Sequence, residues 1–526
     1  MSVFVLYRSL RQAGGNSFPP IAGPPALPLP VRLHHPVCGC QTGLTSIVLT
    51  DYRSFAAIQT DLRRGAISCR QLVEHYLTRI AEQTHLNAFT EVYADKSLSR
   101  ADAIDQRLAA GTAGRLAGMV IGIKDVLCYA DHGLRAGSRI LDNFTAQFTA
   151  TAVERLLAED VIIIGRQNCD EFAMGSSNEN SAFGPALNAA DPTRVPGGSS
   201  GGSAVAVQAG LCLASIGSDT GGSVRQPAAF CGVVGLKPTY GRISRWGLIA
   251  YASSFDCIGP IANNLDDAAL LLEIMAGPDD FDSTVSSQPV DAYSAPSPAG
   301  QTTPLRIAYL RDGVESEGVD PAVRAATQHK LDALRAAGHQ VEPVDIALLK
   351  YLLPTYYILT TAEASSNLSR FDGVRYGYRS ATTPDLLSLY KKSRTEGFGA
   401  EVRRRILLGT FVLSASYYDA YYTKAQRVRR LVQQAMETLF SQYDVLLTPT
   451  APTVAYRLGE KTSDPLQMYL GDIFTVLANV TGYPAVSIPN GSDAESAGKP
   501  AMPIGLQLMT PPFSEAKLIR VGRLLQ

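Results

Sequence analysis

Two glycine- and serine-rich clusters, Gly197-Gly198-Ser199-Ser200-Gly201-Gly202-Ser203 and Ser218-Asp219-Thr220-Gly221-Gly222-Ser223, constrain this chain more than any other feature. A flexible Gly/Ser linker is repetitive and leads nowhere. Here an apolar stretch separates the clusters, and each runs directly into a segment patterned for a core. The pattern is that of two tight loops that bring backbone amides and hydroxyls onto one point. That is the outline of a serine acyl-transfer site.

Acyl transfer needs a nucleophile, a base and donors for the oxyanion. None of the seven histidines (34, 35, 75, 85, 132, 329, 339) adjoins either cluster, although proximity in space stays open. A second candidate base is Lys124, which follows the strand-like run Met119-Val120-Ile121-Gly122-Ile123. To act as a base it must be neutral, which requires burial or nearby positive charge to lower its pKa from about 10.4. The alternative is a strand-end lysine extending to solvent. In the second cluster, Gly221 and Gly222 allow successive N–H groups to face one oxygen, with Ser223 at a helix start. Alone, that loop also reads as a glycine-rich helix start that binds nothing or binds phosphate. The second loop and the lysine favour acyl transfer.

The composition, 46% apolar and 18% charged, suits a large core. A net charge of -1 gives no basic footprint for nucleic acid, so any RNA is expected to be held mainly by a partner. The eight cysteines are scattered, which suggests reduced thiols rather than a disulfide framework. Only Cys38 and Cys40 are close together, and no second pair stands at zinc-finger spacing, so no metal is expected. No apolar run reaches the ~18 residues of a membrane span. Residues 1–50 lack Asp, Glu and Lys, carry Arg8, Arg11 and Arg32, and crowd prolines between Pro19 and Pro36. They are expected to be a disordered extension, a transit peptide or an upstream reading frame that is not translated, with one folded domain over 51–526.

Along that domain, helices are expected over 55–62, 69–80, 97–110, 150–159, 203–210, 322–337 and 414–422. Strands are expected over 119–123, 161–164 (closed by Gly165), 211–216, 305–310 and 341–344. Ser68 and Gln71 form a capping-box signature at the second helix. A Pro/Ser-rich connection is expected over 286–304. Alternating helix and strand implies a largely parallel sheet covered by helices, with chemistry in the loops at strand ends.

Together, Gly122-Ile123-Lys124-Asp125-Val126, the Ser199 cluster and Gly217-Ser218-Asp219-Thr220-Gly221-Gly222-Ser223-Val224-Arg225-Gln226-Pro227 resemble the amidase signature family. The resemblance implies an α/β fold with a central mixed, largely parallel sheet and helices on both faces. It also implies a Ser-Ser-Lys triad: Ser223 as nucleophile, Ser199 as a bridging serine in a cis peptide, and Lys124 as base. Backbone amides around Thr220, Gly221 and Gly222 would form the oxyanion hole.

Other stretches resemble the branch of that family that works in tRNA-dependent amidation. They include Lys237-Pro238-Thr239-Tyr240-Gly241-Arg242, Arg370-Phe371-Asp372-Gly373-Val374-Arg375-Tyr376-Gly377 and Arg404-Arg405-Ile406-Leu407-Leu408-Gly409-Thr410. This likeness runs from about Asp51 to the C-terminus. It implies a glutaminase that passes ammonia to the B and C subunits of a heterotrimer, with no cofactor of its own. ATP and Mg would be used through the partner, which would also hold most of the misacylated Glu-tRNA(Gln), and Asp-tRNA(Asn) is a conceivable further substrate. By motif match, Arg405 takes the α-carboxylate of glutamine and Asp472 its α-amine, with a surface salt bridge as the alternative for each. Cys257 stands where the resemblance leads one to expect Gln. The competing readings are a stand-alone amide hydrolase and an inactive scaffold. The expected compartment is the cytoplasm, or a mitochondrion or plastid if 1–50 is a transit peptide.

Overall fold

Among the described residues, the apolar runs assemble into one eleven-stranded sheet. In chain order its strands are β1 (Phe89–Val92), β2 (Val120–Lys124), β3 (Ile162–Gln167), β4 (Ala214–Asp219), β5 (Val234–Lys237) and β6 (Cys257–Ala262). They are followed by β7 (Arg306–Leu310), β8 (Gln340–Val344), β9 (Val445–Pro449), β10 (Ala485–Ser492) and β11 (Pro503–Met509). Across the sheet the order is β1-β3-β2-β4-β6-β5-β10-β11-β9-β7-β8. This computed structural model describes residues 51–296, 303–462, 465–493 and 500–526. The extension expected over 1–50 and part of the connection expected over 286–304 lie outside the described residues. Residues Tyr52–Gln526 form one compact unit.

The sheet is mixed. Parallel pairing occupies two blocks, β3-β2-β4 and β9-β7-β8, while the strands between and outside them pair antiparallel. Connectivity explains the division. Helix Thr151–Ala158 carries the chain from β2 to β3, and helix Pro321–Ala336 carries it from β7 to β8, the crossovers that parallel neighbours require. The consecutive strands β5 and β6, and β10 and β11, fold back on one another.

Most expected elements form with ends shifted by a few residues. Helices Phe55–Arg63 and Cys69–Glu82 are present, and the Ser68/Gln71 capping box forms in both directions. Three differences matter. β3 continues through Gly165 to Gln167, because this glycine permits a close approach of β1: a Cβ there would fall 2.5 Å from Glu91 O. β4 begins later and runs through Ser218 and Asp219, since β6 continues to pair with it as far as Asp219 opposite Cys257. The tyrosine-rich stretch is not an α-helix, but a turn leading into a short π-helical segment, Asp419–Thr423, ahead of helix Lys424–Gln442. No helix among the described residues is long and apolar enough to cross a membrane.

Candidate active site

Parallel pairing places the first two site residues. Ile121 lies opposite Ala214 and Ile123 opposite Ile216, so Lys124 and Ser218 emerge at the same end of the sheet. Carboxyl ends of parallel strands are where such sheets collect ligand chemistry. Lys124 is fully buried. Its Nζ lies 2.7 Å from Ser199 Oγ, 2.9 Å from Ser218 Oγ and 3.4 Å from Ser218 O. Burial pushes its pKa down to about 8, against the opposing influence of Cys169, Asp170 and Asp219. The solvent-reaching alternative for this lysine is therefore not what the fold builds. Lys237 is equally buried, but its Nζ donates to Pro238 O at 2.8 Å and faces Cys257 Sγ at 3.9 Å. His132, the one buried histidine among the described residues, is stacked on Tyr129 with ring centroids 3.9 Å apart.

Ser199 lies just before helix Gly201–Gln208, and the Gly198–Ser199 peptide is cis. Gly198 has no room for a side chain: a Cβ would fall 2.1 Å from Asp170 Oδ2 and 2.7 Å from Ser177 N. Ser223 occupies the turn before helix Arg225–Cys231, which starts two residues beyond it. Ser200 N donates to Ser223 O at 3.2 Å, drawing the two loops together. The Ser223 side chain is nearly buried, and its hydroxyl has no partner among the described residues.

Asp219 organises the second loop. It is fully buried and accepts from the amides of Gly222 (2.9 Å), Val224 (3.1 Å) and Arg225 (3.4 Å). It also accepts from Arg225 Nε and Nη2 and from Asn479 Nδ2, at 3.0, 2.9 and 2.8 Å. Burial alone would raise its pKa, but the Arg225 guanidinium holds the carboxylate well below the usual range. Arg225 in turn donates to Gln507 Oε1, Asn479 Oδ1 and Thr475 O. This bonding alters the expected oxyanion hole. The Gly222 amide, one of the expected donors, is engaged by Asp219, whereas no described residue accepts from the amides of Thr220, Gly221 and Ser223. Thr220 points its hydroxyl at Asp256 Oδ1, 2.7 Å away.

Arg405 and Asp472 are brought together, and neither makes the surface ion pair that was the alternative. Both are buried. Arg405 donates from Nε to Glu401 Oε1 at 2.9 Å and from Nη1 to Tyr251 OH at 2.7 Å. Its guanidinium lies over the rings of Tyr251, Tyr357 and Tyr469. No described residue accepts from its Nη2. Asp472 accepts at Oδ2 from Ser176 Oγ (2.8 Å) and Tyr357 OH (3.2 Å), which leaves Oδ1 free of described partners. Burial pushes its pKa up to about 7. Tyr357 thus connects a cation and a carboxylate whose unengaged ends suit the two charged groups of a free amino acid.

Sequence reasoning missed the residues that support these groups. Ser218 and Asp219 stand inside the second Gly/Ser cluster, whose composition is their signal. Asn479, Gln507, Thr475, Tyr357, Glu401 and Tyr469 carry no local signal.

The chain belongs to the amidase family, whose model, described as Amidase, matches residues 71–519. Within the family it is similar to the glutamyl-tRNA(Gln) amidotransferase A subunit of Chlorobium luteolum, at 51% identity over 480 residues, covering 90% of this chain and 97% of that relative. The corresponding protein of Koribacter versatilis is 50% identical over 475 residues, covering 89% and 97%. Among solved structures, the glutamyl-tRNA(Gln) amidotransferase A subunit of Thermotoga maritima aligns with a TM-score of 0.70 at 38% identity, covering 86% of this chain and 90% of its own. Native peptide amidase from Stenotrophomonas maltophilia aligns with a TM-score of 0.73 at 28% identity, covering 89% and 95%.

Proposed function

We propose that this chain is the glutaminase subunit of a glutamyl-tRNA(Gln) amidotransferase, working with B and C subunits. Ser223 Oγ attacks the side-chain amide carbon of glutamine. Its proton passes to Ser199, and the proton of Ser199 passes to Lys124 Nζ. The C–N bond then breaks, the leaving nitrogen recovers a proton along the same route, and ammonia departs. Water hydrolyses the glutamyl ester on Ser223, releasing glutamate. The oxyanion faces the amides of the Thr220-Gly221-Gly222-Ser223 turn, with those of Thr220, Gly221 and Ser223 the unengaged donors.

The observation that carries this reading is the buried contact between Lys124 Nζ and Ser199 Oγ at 2.7 Å, with the lysine pKa lowered to about 8. A neutral lysine is a competent base, so the absent histidine is not missed. Arg405 and Asp472 supply the opposite charges that a free amino acid requires. This favours glutamine over an uncharged amide and separates the reading from a stand-alone amidase. These steps need no cofactor on this chain. The partner would bind ATP and Mg, activate the γ-carboxyl of glutamate on the tRNA, and consume the ammonia.

The test is a reconstituted amidation assay with Glu-tRNA(Gln) and, separately, Asp-tRNA(Asn). Glutamine and ammonium salts should each support product, and Ser223→Ala should lose the first while retaining the second. A purified chain that binds no partner and cleaves diverse amides at full rate would instead establish the stand-alone hydrolase.

A further inference from the structure

The peptide between Gly221 and Gly222 is held at both ends. Its N–H donates to Asp219 Oδ1 at 2.9 Å, and its carbonyl accepts from Thr475 Oγ1 at 2.7 Å. Gly222 has φ +130, and glycine peptides of this kind rotate easily unless they are restrained. The restraint on the carbonyl side comes from a fully buried residue some 250 positions along the chain. Thr475 is fixed in turn, because its own carbonyl accepts from Arg225 Nη1 at 2.9 Å. Its side chain fills the space beside Gly222, where a Cβ would fall 2.4 Å from Thr475 Oγ1.

We propose that Thr475 is a positioning residue for amide cleavage, setting the Gly221–Gly222 peptide so that the Gly221 and Ser223 amides face the oxyanion. It also links that turn to the amino-acid pocket. The same hydroxyl lies 3.1 Å from Asp472 O, and a hydroxyl has only one proton to donate. The backbone of the residue that would take the α-amine therefore shares this donor with the oxyanion turn. The inference rests on the glutaminase reading for its substrate, but not for its geometry.

Thr475→Val keeps the branched shape and removes the donor, while Thr475→Ser keeps the donor. Both are made in the complex co-expressed with its B and C subunits. Thr475→Val should lower kcat for glutamine hydrolysis by about 10- to 100-fold, somewhat less than deletion of an oxyanion donor. KM for glutamine should stay within about threefold, and ammonium-driven amidation should be unchanged, since Thr475 touches no substrate group. Thr475→Ser should return kcat to within about threefold of wild type. The proposal is overturned by an unchanged kcat in Thr475→Val, by a rise in KM alone, by failure of Ser to rescue, or by a parallel loss of ammonium-driven activity. A simple aliphatic primary amide is assayed alongside. A wild-type enzyme that cleaves it but ignores glutamine defeats the glutaminase reading, while the Thr475→Val deficit on that amide still decides the role of Thr475. A wild type that cleaves neither defeats both.

Discussion

Asp219 and Arg225 form a fully buried ion pair, Arg225 Nη2 standing 2.9 Å from Asp219 Oδ1, and the turn that carries Ser223 is wrapped around it. The pair is useful because of what else it binds. Asp219 fixes the amides of Gly222, Val224 and Arg225, and Arg225 reaches Asn479, Gln507 and Thr475 on the far side of the chain.

Replacing Asp219 by Asn keeps the shape but leaves Arg225 buried without its countercharge. Breaking a buried pair on one side costs about 3–5 kcal/mol. Asp219→Asn should therefore lower the melting temperature markedly and remove glutaminase activity. The pH dependence follows from the sign of the shift. The folded pKa lies below the unfolded value of about 3.9, so this contribution is intact above pH ~4 and is lost only as pH falls towards the folded value. A melting temperature unchanged by Asp219→Asn would show that the pair adds nothing to the fold.

Lys124 has the opposite relation to stability. Its folded pKa, near 8, is below the ordinary lysine value of 10.5, so the unfolded chain binds more protons between those values and stability rises with pH across that window. At pH 7 the buried lysine is mostly protonated, at a cost of about 3 kcal/mol. Lys124→Met should raise the melting temperature at neutral pH while abolishing glutamine hydrolysis. In the wild type, kcat/KM for glutamine should climb with pH with a midpoint near 8, as the neutral base accumulates in the free enzyme. A rate that is flat between pH 6.5 and 9 would count against Lys124 as the base.

Arg405→Lys removes the planar fork that joins Glu401, Tyr251 and the pocket, and lysine does not replace it. Loss of a charged hydrogen bond is worth about 1.5–3 kcal/mol. Arg405→Lys and Asp472→Asn should each raise KM for glutamine by roughly 10- to 100-fold, with ammonium-driven amidation intact. The measurement is steady-state kinetics of the complex with both nitrogen donors. A KM untouched by either substitution would place the amino-acid pocket elsewhere.

Gly198→Ala should be poorly tolerated. Its Cβ would meet Asp170 Oδ2 at 2.1 Å and the amides of Ser177 and Asn178 at 2.7 and 2.9 Å. Overpacking of this kind costs roughly 1–3 kcal/mol, and relief by moving the loop would displace Ser199 from Lys124. Gly338→Ala is the control, with φ +87 but nothing within 4 Å of a new Cβ. The Gly198 variant should lose activity far beyond its loss in melting temperature, and the Gly338 variant should lose only a little stability.

Lys124, Ser199 and Ser223 stand out in the sequence as candidates because each lies in a short motif whose composition is itself the signal: glycines that free the backbone, serines at turns, and a lysine at the end of an apolar run. The helices at 55–62 and 69–80 were equally legible, since periodicity and a capping box are local. Where sequence reasoning slipped, a distant strand had intervened: β1 let β3 pass through Gly165, and β6 drew β4 on to Asp219. The tertiary structure alone decided that Lys124 is buried with a lowered pKa, that Asp219 occupies the Gly222 amide, and that Arg405 and Asp472 meet through Tyr357. The physical reason is distance along the chain. Asn479 is 260 residues from the Asp219 it holds, and Arg405 is 154 from Tyr251. Contacts over such separations obey no local period, and they exist only once the sheet has brought the segments together.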